Sequence, residues 1–374
     1  MVSTTSQTIV ISGYYGFKNS GDEAVLKSIL TALEEQGRQA GVKVEPIVLS
    51  IDPEWTSSVY GVRAVHRMKL GEVRQALKES DGLISGGGSL LQDVTSAKTI
   101  PYYLAILKLA QWMRKPTFIY AQGIGPVNRK LFHPLIKSVF KKCAYISVRD
   151  EQSAELLHSM GLDPKKVQVV PDPVMGLPLP ENDRSHTAAD DDLPRIGISV
   201  RFWNKERREL DSIAQGLKQL AERRNVHLRF LPFHLPADEE ASRYIMDKIQ
   251  EVESSGSKVS ICQDALHPQE MLREVSQCQA VIGMRLHSLI YAASRQVPLL
   301  GISYDPKIDH FLHRIDSKPV GTTEQLSGGA IATELEKLLE HGDDWRTAHE
   351  DSIARLKREA QLPAEHIIDY LRKG

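Results

Sequence analysis

Apolar residues in the N-terminal half of the chain fall into short β-branched runs separated by stretches with helical spacing. Runs at 8–12, 44–50, 82–84, 116–121, 144–148 and 167–170 predict strands. Between the first two, 23–36 places Val25, Leu26, Ile29, Leu30 and Leu33 on one helical face, and similar helices are predicted near 71–79, 102–114, 130–141 and 151–160. Strand and helix in alternation are the signature of βαβ units around a parallel sheet.

The pattern lapses at 178–194, where turn-forming and charged residues replace apolar ones, and this stretch reads as a linker. It then restarts, with strands near 195–200, 227–231, 259–262, 280–282 and 298–302 and helices near 206–223, 238–250, 267–276 and 286–295. Helical segments near 331–340, 344–360 and 364–372 close the chain. The expected fold is α/β: two Rossmann-like domains, 1–177 and 195–355, facing a central cleft, with a last helix in 356–374. A length of 374 residues suits two cores of ordinary size.

Composition changes this picture little, but charge placement does. A formal net charge of -1 gives no reason to expect a nucleic-acid partner. Cys143, Cys262 and Cys278 are too few and too scattered for a disulfide framework or thiolate metal cluster, and read as buried thiols. The polar start and the lack of any span-length apolar stretch lead us to expect a cytoplasmic protein. Between Asp93 and Asp150 there is no Asp or Glu, while Lys98, Lys108, Arg114, Lys115, Arg129, Lys130, Lys137, Lys141, Lys142 and Arg149 all fall there. That stretch is either an ordinary solvated face or a field for phosphates, soluble or on an anionic leaflet.

Ligands of open α/β sheets collect at the carboxyl ends of the strands, and the unusual polar residues fall there. After the first strand, 13–23 supplies Gly13, Tyr14, Gly16, Asn19, Gly21, Asp22 and Glu23, in which Asn19 or Ser20 suits a helix cap and the acids suit its positive end. After 82–84 come Gly86, Gly87 and Gly88, then Gln92 and Asp93; a glycine run exposes backbone N–H groups to an oxyanion. It matches neither the dinucleotide fingerprint nor a Walker A loop. Two further strand ends deliver Arg149 and Arg201, whose forks match carboxylate and phosphate unless local acids claim them. At 280–291 a strand ends, Gly283 turns, and Arg285, Leu286 and His287 open a helix whose dipole favours an anion; Lys307 lies on the same rim. Motifs for zinc hydrolysis, serine esterase chemistry and dithiol redox are absent from the sequence.

Taken together, Gly-Tyr-Tyr-Gly-x-x-Asn-x-Gly-Asp-Glu from Gly13, Gly-Gly-Gly-x-Leu-x-Gln-Asp from Gly86, Ser-Val-Arg-Asp from Ser147, Arg-Leu-His from Arg285 and Tyr-Asp-Pro-Lys from Tyr304 resemble the polysaccharide pyruvyl transferases. The likeness is closest to the bacterial members that prepare secondary cell-wall polymer for anchoring S-layer proteins, and runs from about Ile9 to about Phe311. It implies a fold like that of GT-B glycosyltransferases, with the first domain on the acceptor side, the second on the donor side and the last helix packing back on the first. It implies phosphoenolpyruvate as co-substrate, no cofactor, no metal, and a 4,6-ketal product on an N-acetylhexosamine within a lipid-diphosphate-linked precursor.

That chemistry needs a proton on C3, two attacking hydroxyls and departure of phosphate. His287 is the candidate acid, because imidazole exchanges protons near neutrality. Arg285 and Arg149, with the helix N-terminus at Leu286, would hold the donor, with Arg201 and Lys307 as lesser contacts. Glu23, Asp22 or Asp93 would serve as base, and Tyr14, Asn19, Gly86, Gly87, Gly88 and Gln92 would form an acceptor or phosphate loop. A lipid-linked acceptor would bring the enzyme to a membrane, with the helices near 102–114 and 130–141 as the expected docking face, although their apolar Leu104, Ile106, Leu107, Leu131 and Ile136 read first as ordinary core. Two rivals are a nucleotide-sugar glycosyltransferase and a non-catalytic glycan binder. The first lacks the customary acid on the helix after Gly283, and the second has no use for Arg149, Arg285 and His287.

Overall fold

The computed structural model describes residues 5–94, 96, 98–179, 193–263, 265 and 267–373. Most of the expected linker, 180–192, lies outside the described residues. The chain divides into two compact units, Met1–Leu177 with Leu356–Gly374, and Pro178–Arg355.

The first unit is built on strands β1 (Thr5–Tyr15), β2 (Val42–Ser50), β3 (Arg63–His66), β4 (Gly82–Gly86), β5 (Thr117–Gln122), β6 (Tyr145–Val148) and β7 (Gln168–Val169). They pair in parallel in the order β3-β2-β1-β4-β5-β6-β7. Ile9, Val10, Ile11, Leu83, Ile84, Phe118 and Ile119 are wholly buried, because a parallel sheet is covered on both faces and its central strands carry apolar residues at successive positions. On one face the helices Leu70–Glu79, Thr99–Trp112, Phe132–Phe140 and Glu151–Ser159 share one core through Val73, Leu107, Ile136 and Leu157. The helix Ser20–Ala40 packs with the last helix, Leu362–Lys373, which also touches β5 and β6. There Tyr370 sets its ring edge-on to Phe118 at 5.3 Å.

The second unit repeats the plan with β8 (Arg195–Ser199), β9 (His227–Phe230), β10 (Lys258–Ile261), β11 (Ala280–Gly283), β12 (Leu299–Ser303) and β13 (Gly321–Thr322), parallel in the order β10-β9-β8-β11-β12-β13. In each sheet the order reverses beside the first strand, between β1 and β4 and between β8 and β11, and such switch points leave a crevice at the strand carboxyl ends.

Four elements lie outside the segments expected from the sequence. β3 and β13 are short edge strands, and β3 is at best half-buried, so neither needs an apolar run. The helices Pro53–Tyr60 and Pro306–Arg314 span barely two turns and begin with Pro at the first helical position, with Asp52 and Asp305 as caps. Among the described residues, no helix is long and apolar enough to cross a membrane.

Candidate active site

At the end of β1 the chain turns through Gly16, at φ +82°, and enters the helix Ser20–Ala40. Asn19 is the cap, its Oδ1 accepting from the N–H groups of Gly21 and Asp22. Glu23 is 2% exposed; its Oε1 accepts from Gly16 N at 2.8 Å and its Oε2 from the Tyr60 hydroxyl at 2.8 Å. No cation pairs with it among the described residues. Burial therefore dominates and pushes its carboxyl up to about 7, with the Tyr60 and Gly16 hydrogen bonds opposing. Such a group can take a proton near neutrality.

The glycine run lies against this helix. Gly87 and Gly88 stand at φ +65° and +66°; a Cβ on Gly87 would fall 1.8 Å from Val25 Cγ1, and one on Gly88 2.8 Å from Asp22 Oδ1. Gly86 gives its carbonyl to the Tyr15 hydroxyl at 2.8 Å. Close backbone packing thus requires these glycines, and it also brings Asp22 and Gly88 together.

The remaining first-unit candidates are more committed than expected. Arg149 is only 9% exposed, donates to Ser89 Oγ at 2.7 Å, and lies 3.5 Å from Asp172 and 3.7 Å from Asp150. A Cβ on Gly123 would meet its Nε at 2.8 Å, so the loop after β5 also holds it. Asp93 accepts from the N–H groups of Asn128 at 2.9 Å and Arg129 at 2.7 Å. These backbone donors, the Asn128 bond foremost, hold its carboxyl below the ordinary range, which suits a loop clamp and not a base. Gln92 accepts from Val94 N at 2.8 Å.

Arg67, which sequence reasoning missed, lies 6% exposed at the end of β3. It donates to the Gly13 carbonyl at 2.8 Å and the Tyr103 hydroxyl at 3.1 Å. Its guanidinium carbon lies 4.6–6.0 Å from the rings of Tyr14, Phe17, Tyr102 and Tyr103. Burial works against the charge, but the oxygens of Tyr103 and Tyr102 outweigh it and hold Arg67 above its ordinary value. Above it Tyr14 stacks on Phe17 at 3.9 Å, both about 40% exposed, which leaves an aromatic surface open to a ligand. Arg67 follows a strand end as Arg149 does, but its strand, β3, is a short and partly exposed edge without an apolar run to mark it.

In the second unit Arg285 Nε donates to Asp238 Oδ2 at 2.9 Å, and its Nη2 to Oδ1. Asp238 is wholly buried and also accepts from the N–H groups of Phe233 and His234. Glu209 makes the same kind of clamp on Trp203 N and Asn204 N, both at 3.1 Å. Glu23, Glu209 and Asp238 each stand in the first turn of a helix and pin the loop before it; no motif announces the latter two. His287 is the second residue of the helix Leu286–Ser294 and half-buried, and no side chain caps this helix at Arg285. The positive end of this helix therefore points toward the residues that Arg285 and His287 flank. Arg201 donates to the Tyr304 hydroxyl at 3.0 Å and lies 5.3 Å from the Trp203 ring and 5.0 Å from that of Tyr304. Among the described residues no acid pairs with it. Lys307 is the second residue of the helix Pro306–Arg314, its N–H donating to the capping Asp305 Oδ1 at 2.9 Å.

A model of the family described as polysaccharide pyruvyl transferase matches residues 19–306. The chain belongs to the polysaccharide pyruvyl transferase family. The match takes in Glu23, the glycine run, Arg149, Arg201, Arg285 and His287. The amylovoran biosynthesis protein AmsJ of Erwinia amylovora is 20% identical over 297 residues, covering 72% of this chain; the chain spans 65% of that relative's length. By structure the chain is similar to UDP-GlcNAc 2-epimerase from Methanocaldococcus jannaschii (TM-score 0.66, 13% identity, 99% of this chain and 100% of that one). It is also similar to a glycosyltransferase from Rickettsia africae (TM-score 0.64, 12% identity, 99% of each chain). These likenesses establish the GT-B type of fold, as the sequence led us to expect.

On the helices near 102–114 and 130–141, Leu104, Ile106, Leu107 and Ile136 are 6% exposed or less and belong to the core of the first unit, in line with their reading as ordinary core, whereas Leu131 is 62% exposed.

Proposed function

We propose that this transferase moves the pyruvyl group of phosphoenolpyruvate onto two hydroxyls of an N-acetylhexosamine, forming a 4,6-ketal and releasing phosphate. The acceptor is an N-acetylmannosamine residue in a lipid-diphosphate-linked disaccharide, a precursor of secondary cell-wall polymer for S-layer anchoring. Membership of the family supports pyruvyl transfer in polysaccharide synthesis, and the donor, acceptor and residue roles go beyond it. The observation that carries the reading is that the family match runs through Glu23 and His287, a carboxyl poised near neutrality and an imidazole at a helix start that no side chain caps.

In this scheme His287 delivers a proton to C3 of the enol, making the methyl group, while one sugar hydroxyl bonds to C2 and passes its proton to Glu23. The second hydroxyl adds to C2 as the C–O bond to phosphate breaks, and its proton leaves with the phosphate. Over a turnover one hydroxyl proton replaces the one lost from His287, so no other reagent is required. Arg285, held flat by Asp238, and the N–H groups at Leu286 receive the donor's carboxylate and phosphate, with Arg201 and Lys307 on the same unit as further cations. Arg149 keeps Ser89 and the glycine loop in place. Tyr14 offers its face to the sugar ring.

Phosphate release from phosphoenolpyruvate tests this, with and without a synthetic lipid-linked disaccharide bearing N-acetylmannosamine. Release should require the acceptor, and His287→Ala should lower the rate by about 10²–10⁴-fold. Consumption of a nucleotide sugar with no phosphate release from phosphoenolpyruvate would establish the glycosyltransferase reading instead.

A further inference from the structure

Of the eleven large apolar side chains that the described residues expose, five fall in the segments that follow β3, β4 and β5, along the carboxyl rim of the first unit's parallel sheet: Met68 at 60%, Leu70 at 72%, Val94 at 64%, Leu131 at 62% and Leu135 at 49%. Hydrogen bonds knit their loops together. The Tyr102 hydroxyl donates to the Arg67 carbonyl at 3.0 Å, and Arg67 donates to Tyr103, which sets Met68 and Leu70 beside the start of the helix Thr99–Trp112. Asp93 clamps the backbone of Asn128 and Arg129, which ties the segment of Val94 to the one that leads into Leu131. Single exposed apolar residues need no explanation, but five along this rim of the sheet do.

The charge around the rim is one-sided. Lys98, Arg129 and Lys130 are exposed, and Lys137, Lys141 and Lys142 follow on the helix Phe132–Phe140 and just past it. No acid occurs between Asp93 and Asp150; Asp93 itself is engaged by the loop backbone, and Glu72 by Lys69 at 3.0 Å. Exposed apolar side chains among cations, at the end of a sheet, form the pattern of a surface that enters the headgroup region of an anionic bilayer. We infer that this rim, not the outer faces of the flanking helices, docks the protein on an anionic lipid leaflet. The inference does not depend on which reaction the site performs. It does place the loops after β3, β4 and β5, which also carry Arg67 and the glycine run, next to the lipid.

Co-sedimentation of the full chain with vesicles of phosphatidylglycerol mixed into phosphatidylcholine, against phosphatidylcholine alone, tests this. Binding should need the anionic lipid and weaken from low to physiological salt. Leu70→Ser with Leu131→Ser, and separately Arg129→Glu with Lys130→Glu, should each weaken binding about tenfold or more, while thermal unfolding and phosphate release with a water-soluble acceptor stay unchanged. No binding to anionic vesicles, or binding equal in wild type and both double variants, overturns the inference. So does a change in oligomeric state of the Leu70→Ser, Leu131→Ser variant without vesicle binding by the wild type, which would make the rim a protein interface.

Discussion

Glu23 and Asp93 are carboxylates at neighbouring strand ends, and their surroundings drive them in opposite directions. Asp93 takes two backbone N–H donors at the surface and is held ionised; Glu23 is buried with one backbone donor and one phenol, and is held near 7. Because the folded protein holds the Glu23 proton more tightly than the unfolded chain, stability falls as pH rises from about 4.5 to about 7. Glu23→Gln keeps the shape without the charge. It should raise stability at pH 8, by up to about 3 kcal/mol, and converge on wild type at about pH 4, below the unfolded carboxyl's ordinary value, as denaturant unfolding at the two pH values will show. The same variant should lose most acceptor-dependent phosphate release. The wild-type rate should climb as pH rises through about 7, where Glu23 becomes ionised. Asp238→Ala would leave Arg285 and two backbone N–H groups without their acceptor; about 2–4 kcal/mol of stability should go, readable as a lower urea midpoint.

The helix Ser20–Ala40 shows how an element fixes the chemistry at its tip. Asn19 caps it, Glu23 ties it to the turn at Gly16, and Val25 meets Gly87 so closely that no side chain fits between. Gly87→Ala would combine a positive φ with a clash into Val25, and should cost about 2–3 kcal/mol and displace the loop; a lower melting temperature with reduced activity is the expected outcome. The helix and the central strands were legible because their apolar residues recur at the spacing of one face or run unbroken through a covered strand. The glycine run was legible as a loop, but its packing duty was not, since that depends on which helix lies across it. β3 was illegible because an edge strand half open to solvent needs no hydrophobic signature, and Arg67 went unseen with it.

At the scale of the molecule, the last helix belongs to the first unit although the second unit intervenes in sequence. Ile367, Ile368 and Leu371 are buried, and Tyr370 meets Phe118 of β5. Removal of 361–374 should therefore destabilise the first unit selectively: limited proteolysis should cut within 5–177 first and leave 195–355 protected. By itself the sequence determined two parallel α/β sheets, through two trains of alternating strands and helices, and it determined the places where chemistry gathers, because strand ends are the only positions in such sheets where polar residues and helix N-termini converge. What each polar residue does there was decided by tertiary structure. Whether a carboxylate is poised or clamped, whether an arginine is met by an acid as Arg149 and Arg285 are or by rings as Arg67 and Arg201 are, and whether a leucine faces core or water are set by neighbours distant in sequence; burial and partner identity exist only once the chain has folded.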